Sequence, residues 1–213
     1  VNQRVVVRSL RALLPLTVAA FAVAIGVHLT RAEQPPHLLA ALLCAVYLLW
    51  MLAEARITVR HPAETSAENR TLLPYALARA GTGVSAVLWP LRWDRLSAWM
   101  VVPIALFLGA VAVRLVAIRT LGRFYSHHVV RYTDHTIVTT GPYRLVRHPA
   151  YTGMLLAHVG FVAYFLNPLS ALLLVTLGAV LVWRIGVEEQ VLLDIPGYRG
   201  YASGRARLLP GVW

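Results

Sequence analysis

Apolar residues run along this chain in long blocks separated by short polar connections. A helix needs about 20 mostly apolar residues to cross the hydrocarbon core of a bilayer. Residues 13–29, 38–53 and 99–118 meet that requirement, and Arg114 near the end of the third run is expected to snorkel toward the headgroups. After Pro149 come two more runs, 150–166 and 169–187, separated only by Asn167 and Pro168, which predicts a tight helical hairpin. A sixth run, 72–91, is interrupted by Pro74, Arg79, Gly81 and Gly83, so its apolar pattern alone does not decide whether it spans.

The arginines decide it. Cytoplasmic flanks of membrane helices are rich in basic residues. Arg4, Arg8 and Arg11 precede the first run; Arg56, Arg60 and Arg70 follow the second; Arg119, Arg123, Arg131, Arg144 and Arg147 follow the run at 99–118; Arg199, Arg205 and Arg207 lie in the tail. The remaining connections hold only Arg31, Arg92 and Arg95. Placing every Arg-rich segment on one side requires two crossings between Arg70 and Arg119, so residues 72–91 must supply one. The expected fold is all-α: a multi-pass transmembrane helical bundle of about six spans in the cell membrane, with both termini facing the cytosol. Residues 1–118 form the N-terminal spans, and residues 119–213 form a second region that includes the C-terminal hairpin and the tail.

Composition agrees with a lipid-facing chain. Of the 213 residues 58% are hydrophobic and 14% charged, against about 45–50% and 25% in soluble domains. The formal charge of +11 comes from 20 arginines with no lysine. Because they sit between apolar blocks, they read as topology and not as a nucleic-acid surface. The single cysteine, Cys44, excludes an internal disulfide.

Two polar segments are long enough to build a site, residues 122–149 and 188–213. Arg184 and Glu188 are four residues apart and share a helix face. Ionisable groups at membrane depth point to function, and an interfacial ion pair ending the helix is the plain alternative. Gly81-Thr-Gly83-Val-Ser-Ala86 fits a loose dinucleotide pattern but lacks the preceding strand, so small residues permitting close helix approach account for it better. His127, His128 and His135 suit interfacial or substrate-facing roles better than a zinc site, which usually combines His with Cys or acidic ligands at tight spacing. His28, His37 and His61 at span ends are expected to be solvated, and His158 within a span to be packed and hydrogen-bonded. Asn69-Arg70-Thr71 forms a glycosylation sequon on a segment this topology places in the cytoplasm.

The string Gly141-Pro-Tyr143-Arg-Leu-Val-Arg147-His148-Pro149-Ala-Tyr151-Thr-Gly153 resembles the signature of the isoprenylcysteine carboxyl methyltransferase family. The likeness extends upstream through Leu121-Gly-Arg-Phe-Tyr-Ser126 and Asp134-His135-Thr136-Ile137-Val138. Downstream it includes Arg184-Ile-Gly-Val-Glu188-Glu189, Gly197-Tyr198, Tyr201 and Leu209-Pro210. It implies a membrane-embedded methyltransferase with residues 119–213 as its catalytic region, binding S-adenosyl-L-methionine in a cytosol-facing pocket and acting on a lipophilic small molecule or lipid-anchored substrate among membrane lipids, with no nucleic-acid partner. Carried over by position, the cofactor pocket comprises Arg131, His135, Thr136, Ile137, Val138, Tyr143, His148, Pro149, Ala150, Tyr151 and Glu188. Arg184 matches a substrate contact and is the expected catalytic residue; no metal is implied.

Residue chemistry is consistent with that assignment. Glu188 suits a cofactor amine or ribose hydroxyl, Tyr143 and Tyr151 suit adenine or a sulfonium, and Pro142 and Pro149 stiffen the loop. A carboxylate acceptor is ionised at neutral pH, needs no general base, and pairs with the planar fork of Arg184. Phospholipid methyltransferases share part of the pattern and membrane sterol reductases a looser form of it. A lipid N-methyltransferase and an NADPH-dependent reductase therefore remain open alternatives. The topology has a direct test: with Asp94→Cys, the new thiol labels from outside intact cells, and labelling only after permeabilisation overturns six spans.

Overall fold

A computed structural model describes residues 3–60, 69–122, 125, 137–211 and 213. Among them the chain is helical: α1 (Gln3–Leu29), α2 (Pro35–Arg60), α3 (Asn69–Val87), α4 (Val101–Leu121), α5 (Pro149–Phe165), α6 (Pro168–Leu192) and the short α7 (Tyr198–Ser203). Single 3-10 turns occupy Ala98–Met100 and Gly141–Arg144. Four stretches are long and apolar enough to cross a membrane: Ala12–Leu29, Pro35–Ala55, Ala98–Leu121 and Pro168–Leu192. Leu16, Val23, Leu49, Leu172 and Val175 on these helices are exposed. Water disfavours so much apolar surface and lipid does not, so this is a membrane protein.

The C-terminal hairpin forms where the sequence places it. Pro149 opens α5 at its first position, where the missing N–H costs nothing. Leu166 ends it in the left-handed region at φ 47°. Asn167 then caps α6, its side chain accepting from the Ser170 N–H at 2.8 Å, with Pro168 next in line. The same amide donates to the carbonyls of Ser85 and Ala86, at 3.0 and 3.2 Å, so the hairpin turn holds the C-terminal end of α3. At the other end of α3, Thr71 meets Arg184 of α6. Between these two ties α3 runs antiparallel to α6 over about 23 Å at 1.5 Å per residue.

Helices α4 and α5 touch backbone to backbone. A Cβ on Gly160 would lie 2.6 Å from the Phe107 nitrogen and 2.8 Å from the Pro103 oxygen, and one on Gly153 would lie 2.7 Å from the Arg114 nitrogen. Small residues permit this approach where there is no water to drive helices together. Gly83 plays the same part on α3, since a Cβ there would reach within 2.7 Å of the Tyr47 hydroxyl. An aromatic core fills the centre, with Phe21 stacked on Tyr47 at 4.6 Å and Phe161 packed between Tyr47, Phe107 and Phe165. His158 is fully buried there, bonded to the Tyr47 hydroxyl at 2.9 Å and the Met154 carbonyl at 2.8 Å, as expected.

Two expectations are corrected. Arg114 does not snorkel: its side chain is buried and pairs inward with Glu54 of α2, because a carboxylate at the same depth offers more than distant headgroups. His28 and His37 are not solvated. The turn between α1 and α2 brings their rings together, Nδ1 to Nδ1 at 2.9 Å, beneath Phe165. One donates and one accepts, which allows both to be buried. His61 lies outside the described residues.

Gly160→Ala should destabilise the bundle by about 1–3 kcal/mol, since backbone must move to admit the methyl group. Gly178→Ala on α6, with nothing within 4 Å of the new carbon, serves as control. Thermal unfolding in detergent reads both, and equal midpoints would refute the close α4–α5 contact.

Candidate active site

The site is built where the 141–152 segment is trapped between α6 and the tail. Gly141, at φ 56° and against Thr120, starts the turn that buries Tyr143. The tail clamps the rest of the segment. The Arg147 and His148 N–H groups donate to the carbonyls of Ala206 and Arg207, at 2.9 and 3.0 Å. The Tyr201 hydroxyl donates to the Tyr143 carbonyl at 2.9 Å, and the Thr152 hydroxyl to that of Leu208 at 2.8 Å. Glu189 holds these pieces together: it accepts from Arg147 Nη1 at 2.9 Å and Arg207 Nε at 2.7 Å, with His148 Nε2 at 3.3 Å. The sequence alone assigns Glu189 no role; its one signal is a position one residue round the helix from Glu188.

Glu188 faces another way. Its carboxylate accepts from the Tyr151 hydroxyl at 2.7 Å and remains a quarter exposed. The same hydroxyl accepts from Arg184 Nε at 2.9 Å, so one phenol joins Arg184 to Glu188 across a single turn of α6. Arg184 is buried, donates from Nη1 to Thr71 at 2.9 Å, and lies 5.3 Å from the centre of the Tyr75 ring. The His148 ring stands 5.8 Å from that of Tyr151.

The other expected pocket residues that are described, Pro149 apart, divide between two small clusters. Val138 packs with buried Tyr143 and Ala150, while Ile137 turns toward Ile195, Tyr198 and Tyr201 beside α7. Pro149 is buried at the head of α5. Burial pushes the Tyr143 and Tyr198 phenols up from their ordinary range, so both remain protonated donors at neutral pH. Arg131, His135 and Thr136 lie outside the described residues.

Beneath the site is a charged cluster that the sequence did not reveal. Arg114 makes a two-point ion pair with Glu54, and also donates to the Ala150 carbonyl at 2.7 Å and the Tyr125 hydroxyl at 3.1 Å. Arg79 reaches the same carboxylate at 2.7 Å, over the face of Trp50. One acid therefore binds α2, α3 and α4 together and, through Arg114, fixes the residue before Tyr151.

Comparison with known proteins identifies this part of the chain. Residues 102–194 match the isoprenylcysteine carboxyl methyltransferase (ICMT) family. That stretch is similar to members of the ICMT family. It includes Arg114, the Gly141–Arg144 turn, α5 and the Arg184–Glu189 face, and leaves out α1 to α3 and α7. Protein-S-isoprenylcysteine O-methyltransferase B of Arabidopsis thaliana is 37% identical over 114 residues, covering 50% of this chain and 55% of the relative. The enzyme of the same type from Saccharomyces cerevisiae is 37% identical over 88 residues, covering 38% of this chain and 35% of its own. That from Dictyostelium discoideum is 27% identical over 170 residues, 73% of this chain and 70% of its own. The chain spans about half the length of the Arabidopsis ICMT relatives it matches.

Glu54→Gln leaves Arg114 buried without its counter-charge, which costs about 3–5 kcal/mol for a broken interior pair. Thermal unfolding should show a large drop in midpoint, and an unchanged midpoint would show that the cluster does not support the fold.

Proposed function

We propose that this chain is an S-adenosyl-L-methionine-dependent methyltransferase of the membrane that O-methylates a carboxylate on a lipophilic, isoprenoid-like acceptor. The observation that carries the reading is the Tyr151 phenol shared by Arg184 and Glu188. It sets a buried guanidinium, suited to an anionic acceptor, one helical turn from a partly exposed carboxylate suited to a cationic cofactor. S-adenosylmethionine, when bound, supplies a methyl group on a sulfonium centre. The residues present fit such a group: Glu188 offers a carboxylate, the Tyr143 and Tyr151 rings offer aromatic faces, and the buried Tyr198 hydroxyl has no partner among the described residues. Cofactor contacts are assigned to Val138, Tyr143, His148, Pro149, Ala150, Tyr151 and Glu188, and, on the family likeness alone, to Arg131, His135, Thr136 and Ile137.

Arg184 holds and orients the acceptor carboxylate, which is already ionised and needs no base. The Arg184 stem and α5 keep water from the reacting groups. The relatives' names describe methylation of protein S-isoprenylcysteine; the acceptor here shares the chemistry of an apolar tail ending in a carboxylate. The run of α3 alongside α6 supports its crossing the membrane, and with it a six-span, multi-pass topology with the site and both termini cytoplasmic.

The test is methyl transfer from labelled cofactor to a lipid extract. A carboxyl ester releases labelled methanol in alkali, and base-stable label would overturn the reading in favour of N-methylation. Arg184→Lys should cut acceptor turnover at least tenfold, because a point charge cannot replace the planar fork, while S-adenosylhomocysteine affinity stays near wild type. Full activity in that variant would reduce Arg184 to a helix-ending ion pair.

A further inference from the structure

Helix α3 turns one face inward, carrying Thr71, Tyr75 and Arg79 at successive intervals of four residues. Thr71 accepts from Arg184, and Arg79 donates to Glu54. Tyr75 stands between them. The Arg184 guanidinium lies over its ring at 5.3 Å, and the Tyr151 ring meets it edge-on at 6.4 Å. Only 4% of Tyr75 is exposed, yet its hydroxyl has no hydrogen-bond partner among the described residues.

That hydroxyl is unexplained by the fold. Phenylalanine would keep the ring against Arg184 and Tyr151 and would avoid burying an unpaired polar atom, which native structures rarely tolerate. Arg79 Nη2, one turn further along the same face, is likewise buried without a partner. Arg79 Nη2 can only donate, and the Tyr75 hydroxyl can donate as well as accept, so an acceptor group suits both. A carboxylate accepts only, through two oxygens, whereas an ammonium group would meet two guanidiniums, Arg184 and Arg79, on either side of Tyr75.

We propose that Tyr75 is a substrate-contacting residue, its hydroxyl donating to the carboxylate of the methyl acceptor held beside Arg184. The inference rests on the carboxyl-methylation reading above. It extends the site beyond the stretch that matches the ICMT family, since Tyr75 lies outside residues 102–194. The acceptor head is then enclosed by α3 on one side and by α5 and α6 on the other, and α3 selects for an anion.

Tyr75→Phe in the full chain tests this. Thermal stability should be unchanged or raised, because no protein hydrogen bond is lost. S-adenosylhomocysteine affinity should be unchanged. The concentration of lipid extract giving half-maximal ester formation should rise about tenfold or more, as for loss of a hydrogen bond to a charged group. An unchanged acceptor requirement would overturn the proposal, since the hydroxyl then contacts no acceptor. A fall in stability or failure to fold would make it structural, and weakened cofactor-product affinity would place it in the cofactor pocket; either overturns the proposal. Base-stable product from the wild-type protein removes the carboxylate, and this inference with it. Base-labile product with an unchanged requirement in the variant removes the inference alone.

Discussion

The ion pair between Arg114 and Glu54 is the contact on which the rest of the bundle turns. Neither charge is tolerable alone in an apolar interior, because a buried ion loses several kcal/mol of hydration. Each must therefore find the other before the helices can close. Meeting this condition fixes the depth of α2 relative to α4, and the Arg79 contact with the same carboxylate sets the depth of α3. The remaining reach of Arg114, to Ala150 and Tyr125, extends that register into the loop and the first turn of α5. Because Tyr151 follows Ala150, the phenol that joins Arg184 to Glu188 is positioned from beneath by a pair that need not touch substrate or cofactor.

Local signals made the hairpin and the helix starts legible in the sequence. Pro149 at the head of α5 and Asn167-Pro168 before α6 act within one turn, so their effect is readable without knowledge of the rest. The direction of a side chain is not local in this sense. Arg114 lies near the end of an apolar run, where snorkelling outward is the ordinary solution, and its partner is 60 residues away on another helix. Glu54 was the available clue, an acid at the edge of an apolar run with no basic neighbour one turn away. His28 and His37 illustrate the same limit, since only the turn between α1 and α2 brings two neutral rings into a shared hydrogen bond.

The site was legible where one segment supplies it. Tyr143, His148, Pro149, Ala150 and Tyr151 arrive together because they are nearly contiguous, and Arg184 and Glu188 because helical geometry puts them on one face. What closes the site was not legible. The tail reaches the 141–152 segment through backbone carbonyls of Ala206, Arg207 and Leu208, and a carbonyl contact leaves no signature in residue type. Thr71 and Tyr75 lie on the helix whose pattern was least decisive, broken by Pro74 and Arg79. Those interruptions have the same origin as the site: a helix that contributes polar groups to an interior seam cannot also be a uniform apolar run.

The seam also discriminates by charge. Among the described residues it sets five guanidiniums, Arg79, Arg114, Arg147, Arg184 and Arg207, against three carboxylates, Glu54, Glu188 and Glu189. Glu54 and Glu189 each face two arginines, and Glu188 is linked to the fifth through Tyr151. Low-dielectric surroundings magnify such an imbalance, so an entering anion is favoured and an entering cation opposed. On the proposed methyltransferase reading a cationic cofactor requires a local exception, and Glu188 is suited to it, being the one of the three carboxylates with no arginine bonded directly among these contacts. The two adjacent acids of α6 thus differ by side-chain direction alone: Glu189 pairs with Arg147 and Arg207 and ties the tail to the 141–152 segment, while Glu188 remains partly exposed beside Tyr151.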